Sequence, residues 1–297
     1  AFALAASFRQ AERPHLIIAS DKEEAAYLLN DLEAILGHKN VMFYPGSYRR
    51  PYQVEETDNA NVLLRAEVLN RLTSRKKPAL LVSYPDALFE QVITRKQLSS
   101  NTLNVREGDS LSIDFLNETL FEYNFERVDF VVEPGQFSVR GGIVDVFSFS
   151  HDVPYRLEFF GDEIESIRTF DIESQLSIDK IKKLSLIPNV ENKTLLEKRE
   201  SFLEYISAQT VVWVKSLPLA AKRLDDLFIK AEDAFEKLES ELKHAAPADL
   251  FISGRAFKES LQKFATVEWS TDTYFEADQE FSFGIKPQPS FNKKFEM

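Results

Sequence analysis

The residues best suited to specific recognition chemistry lie on a short predicted β-strand that ends in a tight turn. Arg156, Glu158 and Phe160 alternate along the run Tyr155–Phe160, and alternate side chains of a strand share one face. Arginine and aromatic side chains are enriched at binding hot spots. The pattern therefore favours a binding face, although single exposed aromatic side chains are also common on surfaces that bind nothing.

A predicted hairpin positions this face. The dipeptide Gly161-Asp162 separates the strand-forming runs Tyr155–Phe160 and Glu163–Phe170, and a two-residue loop with glycine first predicts a type II′ turn. In that register, residue 160 lies opposite residue 163, residue 159 opposite residue 164, and residue 158 opposite residue 165.

This register divides the hairpin into two faces with different environments. The core face is expected to hold Tyr155, Leu157, Phe159 and Ile164. The exposed face is expected to hold Arg156, Glu158, Phe160, Glu163 and Glu165. Two consequences follow: the Phe160 ring faces water, and the opposed carboxylates of Glu158 and Glu165 repel each other.

Longer sequence segments around the hairpin resemble one protein family. PGQFSVRGGIVDVF and PYRLEFFGDEIESIRTFD resemble the central module of transcription-repair coupling factors (Mfd), and the same module of the excinuclease protein UvrB. The segment KPQPSFNKKFEM is similar to the coupling factors. The first two segments lie within residues 104–188. The resemblance extends over residues 1–103 and 189–297, and over 189–297 it rests on the order of segments and on this last segment.

The resemblance implies that the module docks the excinuclease protein UvrA. The positions that match the family's binding residues are Arg140, Arg156, Glu158 and Phe160. Replacing Arg156 or Phe160 by alanine is therefore expected to weaken partner binding without unfolding the chain. One departure is Ser138, which stands where the UvrB pattern usually has an arginine.

The resemblance also implies a role for the whole protein. The chain would be a non-catalytic adaptor that recruits UvrA in transcription-coupled nucleotide excision repair by mimicking UvrB. In the family, a translocase motor and an RNA-polymerase-binding domain lie in other parts of the protein. The family also suggests that the protein's own C-terminal domains mask the docking face.

Net charge bears on the alternative function, which is DNA binding near stalled RNA polymerase. The chain has a formal charge of −12, and residues 104–188 hold 8 basic and 17 acidic side chains. Binding to DNA without sequence preference depends on cations that displace counterions from phosphates. The acidic module is therefore poorly suited to gripping DNA, and basic groups such as Arg49-Arg50 are expected to be solvated turns.

Nucleotide hydrolysis, the third function considered, would need a glycine-rich phosphate loop with a lysine. An ATP-using relative in this family has such a loop at the position of Ala1–Gln10, but that segment contains neither glycine nor lysine, and the first glycine is Gly37. We therefore expect no enzymatic activity from this chain.

No cofactor or metal site is predicted either. The four histidines lack zinc-binding spacing, and the acidic pairs Asp162-Glu163 and Asp225-Asp226 are expected to be solvated. The absence of cysteine is typical of a reducing cytoplasm, and no apolar run approaches the roughly 20 residues of a membrane span. The sequence begins without methionine, and we expect it to be part of a longer chain.

Alternation of strands and helices predicts an α/β fold with a parallel sheet. Together with the resemblance, it indicates three units. We expect a degenerate RecA/helicase-like domain over 1–103, an inserted β-rich (α+β) module over 104–188, and a second α/β subdomain with a linker-like tail over 189–297.

Overall fold

The computed structural model describes residues 1–47, 59–74, 78–149, 153–188, 198–237, 245–269, 274, 276–281 and 284. The helices are α1 Phe2–Ala11, α2 Lys22–Leu36, α3 Asn59–Ser74, α4 Pro85–Leu88, α5 Arg95–Ser100, α6 Ile113–Glu122, α7 Phe202–Tyr205, α8 Leu217–Glu236, α9 Pro247–Leu250 and α10 Gly254–Leu261. The strands are β1 His15–Ile18, β2 Val41–Phe43, β3 Leu80–Ser83, β4 Val92–Ile93, β5 Leu103–Arg106, β6 Glu126–Arg127, β7 Gln136–Arg140, β8 Ile143–Val146, β9 Tyr155–Phe160, β10 Glu163–Phe170, β11 Ser177–Ile181, β12 Lys183–Leu186, β13 Arg199–Glu200, β14 Val211–Val214 and β15 Ala265–Glu268. The basic pair Arg49-Arg50 and the segment KPQPSFNKKFEM lie outside the described residues.

A five-stranded parallel sheet joins the two ends of the chain. Its strand order is β15-β14-β1-β3-β2, and every neighbouring pair is parallel. All residues of β1 and β3 are buried, as expected for parallel strands covered on both faces. The predicted α/β class is confirmed. Because β14 pairs with β1 and β15 pairs with β14, residues on both sides of the module contribute to one sheet, while the domain boundaries stay a prediction.

A six-stranded sheet forms the module between these two parts. Its order is β11-β10-β9-β8-β7-β6, and its pairs are antiparallel except for β6 and β7. One face packs against α6, where burial of apolar side chains stabilises the module. The Phe121 ring of α6 contacts the Phe137 ring edge-on. The buried residues of α6 and of this sheet face are Leu116, Leu120, Phe137, Val144, Leu157, Ile164 and Ile167, which all belong to the main hydrophobic core. The opposite face carries the polar side chains considered below.

The segment expected to correspond to a phosphate loop is a helix in this chain. Residues Phe2–Ala11 form α1, which buries Leu4 and Ala5. The chain then turns at Glu12, whose φ is +49°, before β1 begins at His15. This arrangement presents helical backbone, whereas a phosphate loop presents the free amides of a glycine-rich turn.

His15 begins β1 and is fully buried. The indole Nε1 of Trp213 donates a hydrogen bond to its Nδ1 at 3.1 Å, and the Phe8 ring contacts it edge-on. Its Nε2 is buried without a hydrogen-bond partner among the described residues. Burial therefore lowers the pKa of His15 below its ordinary value, because a charged imidazolium would lose its hydration there.

This burial predicts a loss of stability in mild acid. As pH falls below about 6.5, the unfolded chain binds a proton at His15 before the folded chain does, so unfolding becomes easier by up to about 1.4 kcal/mol per pH unit. Above that pH the histidine is neutral in both states and the contribution is constant. Urea unfolding of wild type and His15→Phe between pH 7.5 and 5 checks this, since the variant's stability should fall less steeply. Equal slopes would contradict the assignment.

None of the described helices is long and apolar enough to cross a lipid bilayer.

Candidate protein-binding face

The predicted hairpin is present, with one correction to its register. Gly161 has a φ of +62° and Asp162 does not have a positive φ, the signs expected for a type II′ turn. Phe160 lies opposite Glu163, and Phe159 opposite Ile164, as predicted. The predicted pairing of residues 158 and 165 is wrong, because a register shift between Ile164 and Ser166 places Ser166 opposite Glu158.

This β-bulge changes the environment of Glu158. Ser166 Oγ donates a hydrogen bond to Glu158 Oε2 at 2.5 Å, and Arg168 Nη2 lies 3.2 Å from the same oxygen. The predicted repulsion between Glu158 and Glu165 is therefore wrong, because the bulge takes Glu165 out of the pairing. Glu158 is half-buried, and the Ser166 hydroxyl and the Arg168 guanidinium on β10 stabilise its negative charge.

The two faces otherwise follow the alternation expected from the sequence. Tyr155, Leu157, Phe159 and Ile164 are buried. Phe160, at the end of β9, is 81% exposed. Docking of a partner against this ring would be favourable in free energy, because it would remove a large apolar surface from water.

The two arginines predicted to bind the partner, Arg140 and Arg156, both contact one carboxylate. The sequence analysis did not identify this carboxylate. Asp145 on β8 is 1% exposed and lies opposite Arg156 in the sheet. Its Oδ1 accepts from Arg156 Nε at 2.7 Å and its Oδ2 from Arg156 Nη2 at 2.9 Å. Arg140 on β7 forms an ion pair with the same carboxylate. The hydrogen bonds that Arg156 donates to the Asp145 carboxylate raise the pKa of Arg156.

These contacts give the two arginines different roles. The Arg156 side chain is only 15% exposed, and its guanidinium lies 4.7 Å from the centroid of the Phe170 ring, with Nη1 donating to the Gln175 carbonyl at 3.1 Å. The Arg140 side chain is 41% exposed and lies 5.4 Å from the centroid of the exposed Phe130 ring. Arg140 is thus accessible to a partner, whereas Arg156 mainly joins neighbouring strands.

The departure at Ser138 has a structural counterpart. Ser138 lies opposite Asp145 but is 2% exposed, because the segment that follows β6 closes over it. The hydroxyl of Ser138 donates to the Asp129 carbonyl at 3.1 Å. A long arginine side chain at this position would displace that segment, which also lines an open groove of about 750 Å³ with Phe130 and Arg140.

A second, smaller groove lies beside Phe160. The loop before α6 runs along the start of β10, where Gly108 N donates to the Ile164 carbonyl at 2.8 Å and Ile164 N donates to the Asp109 carbonyl at 3.1 Å. This pairing brings Glu107 to the same groove of about 300 Å³ as Phe160, Glu163 and Glu165. Sequence reasoning missed Glu107, because nothing local indicates that its loop contacts β10.

The described part of the chain holds no cluster of three or more histidine or acidic side chains arranged to bind a metal ion. The face also presents two exposed rings, Phe130 and Phe160, and charges of both signs, and such side chains are suited to contacts with another macromolecule.

Comparison with known proteins finds a family model that matches the module. The family model of the UvrB interaction domain matches residues 103–191. A transcription-repair coupling factor of Myxococcus xanthus is 36% identical over 182 residues, which cover 59% of this chain. The coupling factor of Bacillus subtilis is 27% identical over 209 residues, or 70% of this chain. The UvrABC system protein B of Clostridium botulinum is 27% identical over 250 residues, or 79% of this chain and 37% of that protein.

These matches confirm the resemblance that the sequence segments of the module indicated. Residues 103–191 match the family model of the UvrB interaction domain, and the chain is similar to transcription-repair coupling factors and to UvrABC system protein B. The aligned part of the chain spans only 15–18% of the length of these coupling factors.

Proposed function

We propose that this chain, which carries a UvrB interaction domain, is a non-catalytic adaptor that recruits the excinuclease protein UvrA in transcription-coupled repair. The observation that carries the proposal is the exposed Phe160 ring on the outer face of that domain, 81% accessible to solvent. By presenting the same face as UvrB, the chain would capture UvrA and later yield it to UvrB.

The geometry supports a defined division of labour among the proposed binding residues. Phe160 and Arg140 present accessible side chains to the partner, and such residues account for much of the binding energy at protein interfaces. Arg156 and Glu158 are tied into the sheet by Asp145, Ser166 and Arg168. We infer that they hold the face in one conformation, which lowers the entropy lost on binding.

The proposal extends to the longer protein of which this chain would be a part. Other domains would contact RNA polymerase and DNA, and the protein's own C-terminal domains would cover the docking face until the polymerase is engaged. The protein would act in the cytoplasm, where bacterial chromosomes are repaired. The domain division at residues 103/104 and 188/189 belongs to the same proposal.

Replacing Phe160 by alanine should weaken binding to UvrA by about 1–3 kcal/mol, the usual range for a hot-spot residue. The ring is exposed in the free chain, so its removal should leave the thermal midpoint unchanged. Calorimetric titration of the 297-residue chain with purified UvrA measures the effect. Tyr27→Ala is a matched control, because Tyr27 is 75% exposed but lies on α2, away from the module.

Two outcomes would contradict the adaptor function. Wild type that fails to bind UvrA would mean that the domain keeps its fold without this partner. Equal binding by wild type and Phe160→Ala would mean that UvrA docks elsewhere. In either case, titration with duplex DNA over a series of salt concentrations tests the alternative, since DNA binding weakens steeply as salt rises.

A further inference from the structure

The end of the docking face around Phe160 is surrounded by negative charge. Glu163 lies directly opposite Phe160 across the turn, and Glu165 is the residue that the β-bulge removes from strand pairing. Both side chains are exposed. Glu107 joins them from the loop along β10, so three carboxylates and one phenyl ring line a single groove.

The nearby lysine and arginine of the chain pair with carboxylates other than Glu163 and Glu165, so two of these three carboxylates have no ion-pair partner among the described residues. Lys180 Nζ lies 2.7 Å from Glu107, and Arg168 pairs with Glu158. Among the described residues, neither Glu163 nor Glu165 takes part in an ion pair. The groove therefore combines an apolar ring with at least two negative charges that have no counterpart in the described chain.

We propose that Phe160, Glu163 and Glu165 form a receptor for a cationic side chain, an arginine or a lysine, on the docked partner. The inference rests on the proposed adaptor function and adds the chemistry that the partner must present. The face of an aromatic ring attracts a cation placed over it. A guanidinium over Phe160 could at the same time donate hydrogen bonds to carboxylates beside the ring.

The larger groove of the face has mixed charge. Arg127, Arg140 and Asp129 line it beside the exposed Phe130 ring, and Arg140 is already paired with Asp145. The carboxylates beside Phe160 are therefore the charged groups of this face to which a cation of the partner is attracted.

The test compares charge variants of the 297-residue chain in titrations with purified UvrA. Glu163→Lys/Glu165→Lys should weaken binding by about tenfold or more, because like charges then face each other across the interface. The control is Glu232→Lys/Glu236→Lys, which makes the same change of charge on exposed residues of α8 and should leave the affinity within about twofold. Thermal melts confirm that each variant is folded.

Two further variants keep the test decisive if the lysine pair fails to fold. Glu163→Gln/Glu165→Gln preserves side-chain size, and it should reduce the dependence of affinity on salt concentration relative to wild type. Phe160→Leu keeps apolar contact but removes the ring, and it should weaken binding about 2- to 30-fold through loss of the cation–π contact.

The outcomes separate this inference from the adaptor function on which it rests. Unchanged affinity and salt dependence in the glutamine pair, with binding lost in Phe160→Ala, would overturn the cation receptor and leave the adaptor intact. Absence of binding by wild type would overturn both. Equal weakening by the α8 control would show that net charge alone is sensed, which also overturns the receptor.

Discussion

Replacing Phe159 by alanine is expected to lower the free energy of unfolding by about 3–5 kcal/mol, the range for large-to-small changes of a buried phenylalanine. Phe159 is only 9% exposed and belongs to the main hydrophobic core. Its removal would leave a cavity between the sheet and the groups packed on its inner face. Phe160, the next residue, is 81% exposed, so the same change there should have little effect on stability.

The two neighbours therefore form an internal control for the register of β9. Urea unfolding of Phe159→Ala and Phe160→Ala, followed by circular dichroism, measures both free energies. We expect Phe159→Ala to impair stability and Phe160→Ala to impair only binding of UvrA. If both variants lost stability equally, or if Phe160→Ala were the less stable of the two, the assignment of the faces would be wrong.

The second large effect is expected from Asp145. Asp145→Ala should destabilise the chain by about 2–4 kcal/mol, less than for a fully buried ion pair because Arg140 is partly solvated. The change removes both hydrogen bonds to Arg156 and the ion pair with Arg140. The Arg156 guanidinium would then be mostly buried without its anionic partner, so binding of UvrA should weaken as well.

Asp145→Asn is the matched variant, because it keeps the size of the side chain and removes the charge. It should lie between wild type and Asp145→Ala in urea unfolding. Arg156→Ala should also lose stability, since it leaves the buried Asp145 carboxylate paired with the half-exposed Arg140 alone among the described residues. We still expect Arg156→Ala to weaken partner binding without unfolding the chain, and the contacts of Arg156 add an expected loss of stability. Wild-type stability in both Asp145 variants would contradict the role assigned to this carboxylate.

Together these variants distinguish residues that touch a partner from residues that hold the face in place. Phe160 and Arg140 offer accessible surface, while Asp145 supports the sheet beneath them. A loss of binding in Phe160→Ala without loss of stability, beside a loss of both in Asp145→Ala, is the combined result that the proposed division predicts.

The local features of the hairpin could be predicted from the sequence. Gly161 followed by one further turn residue indicated the two-residue loop, because glycine readily adopts the positive φ that the turn requires. Strict alternation along Tyr155–Phe160 separated buried Phe159 from exposed Phe160, because successive strand residues point to opposite faces. The alternation of helices and strands in the flanking segments could likewise be predicted from the periodicity of their apolar residues.

Long-range partners were decided only by the tertiary structure. The bulge that places Ser166 opposite Glu158, the shared carboxylate of Asp145 and the approach of Glu107 to Phe160 have no local signal. A period of two assigns each side chain to a face of its strand, but it does not state which strand lies alongside or where pairing slips by one residue. Those choices depend on how the whole sheet packs against α6 and the loop before it, so the chemistry around Phe160 emerged only once the chain was folded.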